Sequence, residues 1–248
     1  MSRSSILHKR SQQKLQVSLA LHVRMKIILL PGLDGTGSLF DELIKSLGED
    51  NDVEVISYDD ISGRSFIDQA NEIAMRVKDM DILLVSESYS GRVAYELSQL
   101  LGSRVRAIVF IASFISSPSI LSKFAGLLPV ALLKANFLSA YLLKVFGFNG
   151  KATKKQTNSV FNSLKMANRS KLKSRLKNVA GLSNPTNTIN CRVTYIRPTR
   201  DLLVGKRAVN NLKSLCANFN VISVSGGHFI AQSAPMACAK IISNAANM

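Results

Sequence analysis

Three side chains form a set that could attack a carbonyl carbon: Ser88, Asp201 and His228. Acyl transfer by a serine needs a base within hydrogen-bond reach and a carboxylate that holds the base in the right tautomer. The inventory of the chain narrows the choice. Of its three histidines, His8 and His22 lie near the N-terminus, which leaves His228. Beyond Glu96 the only side-chain carboxylate is that of Asp201. Each residue alone has an ordinary explanation as a turn, a cap or a loop connection. Their order, spacing and exclusivity together favour a Ser–His–Asp assembly.

The elements that would have to position them can be read from the surrounding pattern. Ile82–Val85 is an apolar strand, Ser86–Gly91 a sharp turn of mostly small residues, and Val93, Ala94, Leu97, Leu100 and Leu101 recur at helical spacing. A serine at such a strand-to-helix turn is pushed out beyond the sheet, beside the first free N–H groups of the helix. Asp201 follows the strand Cys191–Ile196, and His228 follows the strand Asn220–Val224 through Ser225-Gly226-Gly227. Near the start, the strand Lys26–Leu30 leads into the glycine-rich turn Pro31–Gly37 and a helix carrying Leu39, Phe40, Leu43, Ile44 and Leu47. That geometry can cradle an anion. A dinucleotide fold would also place acidic residues after the next strand, as Asp59 and Asp60 do after Val53–Tyr58, but the glycines are not spaced G-x-G-x-x-G. A loop lending a backbone N–H to an oxyanion accounts for Ser88 as well.

A further helix (Phe66, Ile67, Ala70, Ile73, Ala74, Val77) and the strand Ala107–Ala112 continue the alternation. The fold class is therefore α/β, a doubly wound, mostly parallel sheet. From about 114 to 185 the chain reads as helices without a strand, an inserted cap or an amphipathic surface that touches lipid. Lys123, Lys134 and Lys144 interrupt its Leu/Phe/Ala runs, so no stretch is long enough to span a bilayer. The basic run Lys165–Lys177 is predicted to be a solvated helix face. Ala208, Val209, Leu212 and Leu215 mark a helix, and Ala237, Ile241 and Ile242 the last one.

The formal charge is +16, and because every carboxylate but one lies between Asp34 and Glu96, the second half is a one-sign surface. Such a surface attracts polyanions at low salt, yet no motif for specific nucleic-acid binding accompanies it. Cys191, Cys216 and Cys238 are odd in number and scattered, as expected of unpaired thiols in a reducing compartment; no C-x-x-C pair or His/Cys cluster supports a metal site. Residues 1–24 are basic without a carboxylate. They read as a transit peptide, as an edge strand (Leu15, Val17, Leu19, Leu21, Val23) or as an upstream start before Met25, with nothing to separate the three.

In its loops Pro31–Gly37, Ser86–Gly91, Arg200–Val204 and Gly226–Phe229, in that order, the chain resembles the α/β-hydrolase superfamily, and within it small bacterial members opening with Pro-Gly-Leu-Asp-Gly-Thr-Gly. The resemblance runs from about Met25 to the C-terminus. It implies Ser88 as nucleophile, His228 as general base then acid, Asp201 as its orienting partner, and the N–H groups of Leu33 and Tyr89 as the oxyanion hole. Gly32, Asp34 and Phe229 would meet the substrate, and no cofactor is implied. Two features depart from the pattern: Ser86 and Ser90 stand where glycines are usual, and the cap is strongly basic. The expected activity is serine hydrolysis of a small carboxylic ester or thioester, in a cytoplasmic protein with at most weak contact to a polyanion or an anionic membrane surface. Acyl transfer on the same residues is the nearest alternative. A non-catalytic protein that keeps the scaffold and docks through its basic half is the other. Dehalogenation would need a carboxylate in place of Ser88. Oligomeric state is left open.

Overall fold

The computed structural model of the protein describes residues 25–117 and 137–247. The expectations for residues 1–24, and for the leucine-rich run containing Lys123 and Lys134, lie outside the described residues.

The described chain alternates β1 (Lys26–Leu30), α1 (Asp41–Leu47), β2 (Val53–Val55), α2 (Phe66–Val77), β3 (Ile82–Glu87), α3 (Ser90–Leu101) and β4 (Val105–Ile111). After the excursion beyond β4 come β5 (Ile189–Pro198), α7 (Lys206–Ser214), β6 (Cys216–Val224), α8 (Ile230–Ser233) and α9 (Pro235–Ala246). The strands form a six-stranded sheet in the order β2-β1-β3-β4-β5-β6, every neighbouring pair parallel. The chain runs outward from β1 to β2 and then returns to lay β3 on the other side of β1. The crevice above the β1 and β3 ends is thus a topological switch point, where open parallel sheets bind ligands.

Side chains alternate across the pleat, so one set of strand residues meets each helical layer. Ile28, Leu30, Leu84, Ile108 and Phe110 pack with α2, α3 and α7, while Ile27, Leu29, Leu83, Val85 and Val109 pack with α1 and α9. All of β3 is buried, which explains why Ile82–Val85 is a continuous apolar run and not an alternating one.

Between β4 and β5 lie α4 (Phe137–Leu142), a π-helical turn Leu143–Gly147, α5 (Lys154–Met166) and α6 (Arg169–Ala180). Thr153 and Gln156 form a capping box at the start of α5, and Asn168 caps α6. Leu143, Phe148, Val160, Leu164 and Leu172 gather around Leu39 and lie against Leu33 and Phe229, residues of the β1 and β6 loops.

Some sequence expectations need correction. The strand predicted over Asn220–Val224 begins at Cys216, because pairing with β5 continues down to Ile189 opposite Cys216. As the edge strand, β6 is largely exposed, and Asn218 and Asn220 break its apolar run. The strand predicted over Val53–Tyr58 stops at Val55, although the Ile56 N–H still donates to Leu29 O. The run Lys165–Lys177 is not wholly a solvated face: Arg175 is fully buried, and Lys171 Nζ donates to the carbonyls of Asp59 and Ile61. The three cysteines are free thiols, and burial pushes Cys191 up to about 11 and Cys216 and Cys238 up to about 12. Among the described residues no helix is long and apolar enough to cross a membrane.

Candidate active site

Ser88 lies between the last residue of β3 and the first of α3, with φ at 48°. A left-handed backbone at a non-glycine residue costs about 1–3 kcal/mol and persists only where surrounding bonds enforce it. They do so here. The Ser88 N–H donates to Ile111 O at 3.0 Å, and its carbonyl accepts from the Gly91 N–H at 3.2 Å and from Ser113 Oγ at 2.7 Å. Tyr195 Oη in turn donates to the Ser113 carbonyl at 3.0 Å.

The structure brings the other two residues to this point from the ends of β5 and β6. His228 Nε2 is 2.9 Å from Ser88 Oγ, and Nδ1 is 3.0 Å from Asp201 Oδ2. Asp201 Oδ1 accepts from the N–H groups of Leu203 at 2.8 Å and Val204 at 2.9 Å, which fixes the plane of the carboxylate. Burial alone would raise the Asp201 pKa, but the His228 charge and these donors outweigh it and hold the carboxyl below its usual range. Burial likewise works against a charged His228. The Asp201 carboxylate more than offsets this, with Glu87 adding to it, and holds the imidazole above its ordinary value.

The β1 loop borders the serine. A methyl group on Gly32 would stand 3.8 Å from Ser88 Cβ. Among the described residues no backbone acceptor takes the N–H of Leu33 or of Tyr89. The Tyr89 ring is buried, stacked on Phe66 at 4.8 Å, which anchors the residue after the serine. Asp34, expected at a substrate, is 5% exposed; its Oδ2 accepts from the Thr36 N–H at 3.0 Å, Thr36 Oγ1 at 2.7 Å and Ser163 Oγ at 2.7 Å. It ties the loop to α5. Phe229 stacks on Phe148 at 5.1 Å and meets the His228 ring edge-on at 5.7 Å.

The serines that replace glycines in the turn have different fates. Ser90 Oγ donates to the Pro31 carbonyl and meets Tyr58 Oη at 2.5 Å, so it laces the elbow to the β1 loop. Close approach is supplied one place later by Gly91, where a Cβ would fall 2.4 Å from the Phe114 carbonyl oxygen. Ser86 is fully buried in β3, and its hydroxyl has no partner among the described residues. An unsatisfied buried hydroxyl is destabilising by about 1 kcal/mol or more. Ser86→Ala is therefore expected to raise Tm by about 2–4 °C without loss of packing; thermal unfolding checks this, and a lowered Tm would contradict it.

Sequence reasoning missed Glu87, the residue before the serine. It is 3% exposed, and its Oε1 accepts from Gln232 Nε2 at 3.0 Å. Gln232 Nε2 also donates to Leu39 O at 3.3 Å, and Gln156 Nε2 on α5 donates to the Gln232 carbonyl at 3.1 Å. Burial, with Asp34 nearby, pushes the Glu87 carboxyl up to about 7. A glutamate between two serines at a strand end carries no sequence signal of burial. Among the described residues no group of three or more His, Cys, Asp and Glu could hold a metal ion.

No family model matches the chain, and no curated protein matches it by sequence. Solved structures do resemble it. An esterase from Exiguobacterium antarcticum superposes with a TM-score of 0.75 at 11% identity, covering 90% of this chain and 92% of its own. A hydrolase from Oleispira antarctica gives 0.71 at 13% identity, over 89% and 91% of the two chains. A lipase-esterase related protein from Clostridium acetobutylicum gives 0.69 at 17% identity, over 89% and 94%. Identities this low speak to architecture and not to activity. With its parallel sheet and the loops at its carboxyl edge, the chain has the α/β-hydrolase fold.

Proposed function

We propose that the protein is a serine hydrolase that cleaves a carboxylic ester or thioester through an acyl-enzyme on Ser88. The observation that carries this is the continuous bond line from Asp201 through His228 to Ser88, at 3.0 Å and 2.9 Å. In the first half-reaction His228 Nε2 takes the Ser88 proton as Oγ adds to the carbonyl carbon. The proton then passes to the departing alcohol or thiol. In the second, His228 takes a proton from water, which attacks the acyl carbon, and returns it to Ser88 Oγ. The N–H groups of Leu33 and Tyr89 would hold the oxyanion in both steps. Asp201 keeps Nδ1 protonated, leaving Nε2 free to accept.

The surroundings favour an apolar acyl group. Leu33 and Phe229 border the site and rest on the apolar cluster of Leu39, Leu143 and Phe148, while among the described residues no lysine or arginine bonds to the triad. The names of the structural neighbours, esterase and hydrolase among them, support hydrolysis of an ester.

A fluorophosphonate probe is the direct test. The parent is expected to take up one equivalent, on the peptide containing Ser88, as read by mass spectrometry. A chromogenic acetate should give a burst of matching amplitude. Modification elsewhere, or none, would refute the assignment. Product analysis with and without an added alcohol then separates hydrolysis from acyl transfer.

A further inference from the structure

Helix α6 turns one of its basic side chains inward. Arg175 is fully buried, and its Nε donates to the Leu33 carbonyl at 2.7 Å and its Nη2 to the Asp34 carbonyl at 2.6 Å. These are the two central carbonyls of the tight turn closed by the Gly35 N–H on Gly32 O at 3.1 Å. The guanidinium lies against Gly35, where a Cβ would fall 2.5 Å from Cζ. Its remaining nitrogen, Nη1, has no hydrogen-bond partner among the described residues, and the nearest carboxylate oxygen, Asp59 Oδ1, is 3.9 Å away.

Burying a guanidinium against one distant carboxylate is costly, and an apolar side chain of similar volume would fill the space at less cost. The carbonyl dipoles of the turn supply what the ion pair lacks. The effect on the turn is specific. The bond from Gly35 fixes the peptide plane that holds the Leu33 N–H. Arg175 fixes the following planes by drawing their carbonyls towards α6. A rotation of either plane would break a charge-assisted bond. The loop therefore keeps the Leu33 N–H oriented before any oxyanion forms, which is what makes such a donor effective.

We propose that Arg175 is a positioning residue for the Leu33 donor, so that seating of α6 on the β1 loop sets the competence of the acyl-transfer site. This rests on the serine-hydrolase function proposed above. It gives one member of the basic α5–α6 segment a role that is neither solvation nor polyanion binding.

The test compares Arg175→Met and Arg175→Lys with the parent on a short chromogenic ester, alongside inhibition by an alkyl boronic acid, whose tetrahedral adduct on Ser88 places an oxygen where the oxyanion would lie. Loss of one oxyanion donor typically lowers kcat by about 10²–10³-fold. Arg175→Met is expected to fall by about 10²-fold with KM within about threefold, and its boronate Ki should rise by a similar factor. Lysine can serve only one carbonyl at a time, so Arg175→Lys should recover part of both. An unchanged kcat, or a fall in kcat with boronate affinity intact, would overturn the proposal. If Arg175→Met does not fold, Arg175→Lys decides alone: kcat and boronate affinity must fall together. Ser88→Ala run in parallel separates the failures. Without Ser88-dependent turnover in the parent both proposals fall. With it, parental values in the Arg175 variants sink only the positioning role.

Discussion

Ser88→Ala is expected to retain about one part in 10⁶ of the parental kcat, the scale seen when the nucleophile of such a triad is removed. The size of the loss follows from the neighbourhood. Among the described residues the hydroxyls beside Ser88 are engaged or enclosed: Ser90 Oγ is bonded to the Pro31 carbonyl, Ser113 Oγ to the Ser88 carbonyl, and Ser86 is buried within the strand. What survives would come from the oxyanion donors and from binding, acting on water alone. The fold should survive as well, because the elbow is held by the backbone of Ser88 and not by its hydroxyl. Initial rates on a chromogenic acetate, with circular dichroism and Tm as controls, measure this. A folded alanine variant retaining more than about 1% of parental kcat would mean that another group attacks the substrate, and the assignment of Ser88 would fail.

The grouping of Ser88, His228 and Asp201 was legible in the sequence for a physical reason particular to this chain. Carboxylates and imidazoles are so scarce after Glu96 that Asp201 and His228 had no competitors, and each follows an apolar strand. The strands themselves were legible where burial on both faces makes them continuously apolar, as over Ile82–Val85, and less so at an exposed edge that admits polar residues, as at Asn218 and Asn220 in β6. Arg175 escaped for a different reason. It sits among Lys171, Lys173 and Lys177, and composition alone reads such a run as solvated. The spacing held the missing signal, since Leu172, Arg175 and Val179 fall on one face of α6 and are its buried residues. Ser90 looked like a defect of the elbow motif, whereas its hydroxyl binds the Pro31 carbonyl across the switch point. Spacing along the chain does not reveal a partner 59 positions away. The bonds of Asp34 to Ser163 and of Glu87 to Gln232 span 129 and 145 positions and were hidden for the same reason.

Asp201→Asn is expected to lower kcat by about 10⁴-fold while leaving the geometry nearly intact. The direction of the backbone donors decides why. Oδ1 accepts from the N–H groups of Leu203 and Val204, so an asparagine must keep its carbonyl oxygen there. Its NH₂ group then occupies the place of Oδ2, 3.0 Å from His228 Nδ1, and can only donate, while the retained oxygen, 3.1 Å from Nδ1, is already taken up by two backbone N–H groups. Nδ1 becomes an acceptor, the ring proton moves to Nε2, and the base can no longer take a proton from Ser88 Oγ, 2.9 Å away. The pH profile supplies a second readout with a definite sign. Burial depresses the His228 pKa, and in the parent the Asp201 charge and hydrogen bond reverse this, so the acid limb of kcat/KM is expected above the ordinary histidine value. Without that charge the burial effect prevails, and the limb should move to lower pH. Glu87 keeps some negative charge near the ring, so the Asn variant should not fall as far as burial alone would take it. Activity profiles between about pH 5 and 9, or direct titration of the imidazole by NMR, measure the shift around the ordinary histidine pKa. A variant that loses kcat while its acid limb stays in place would show that Asp201 acts on the fold of the loop and not on the base.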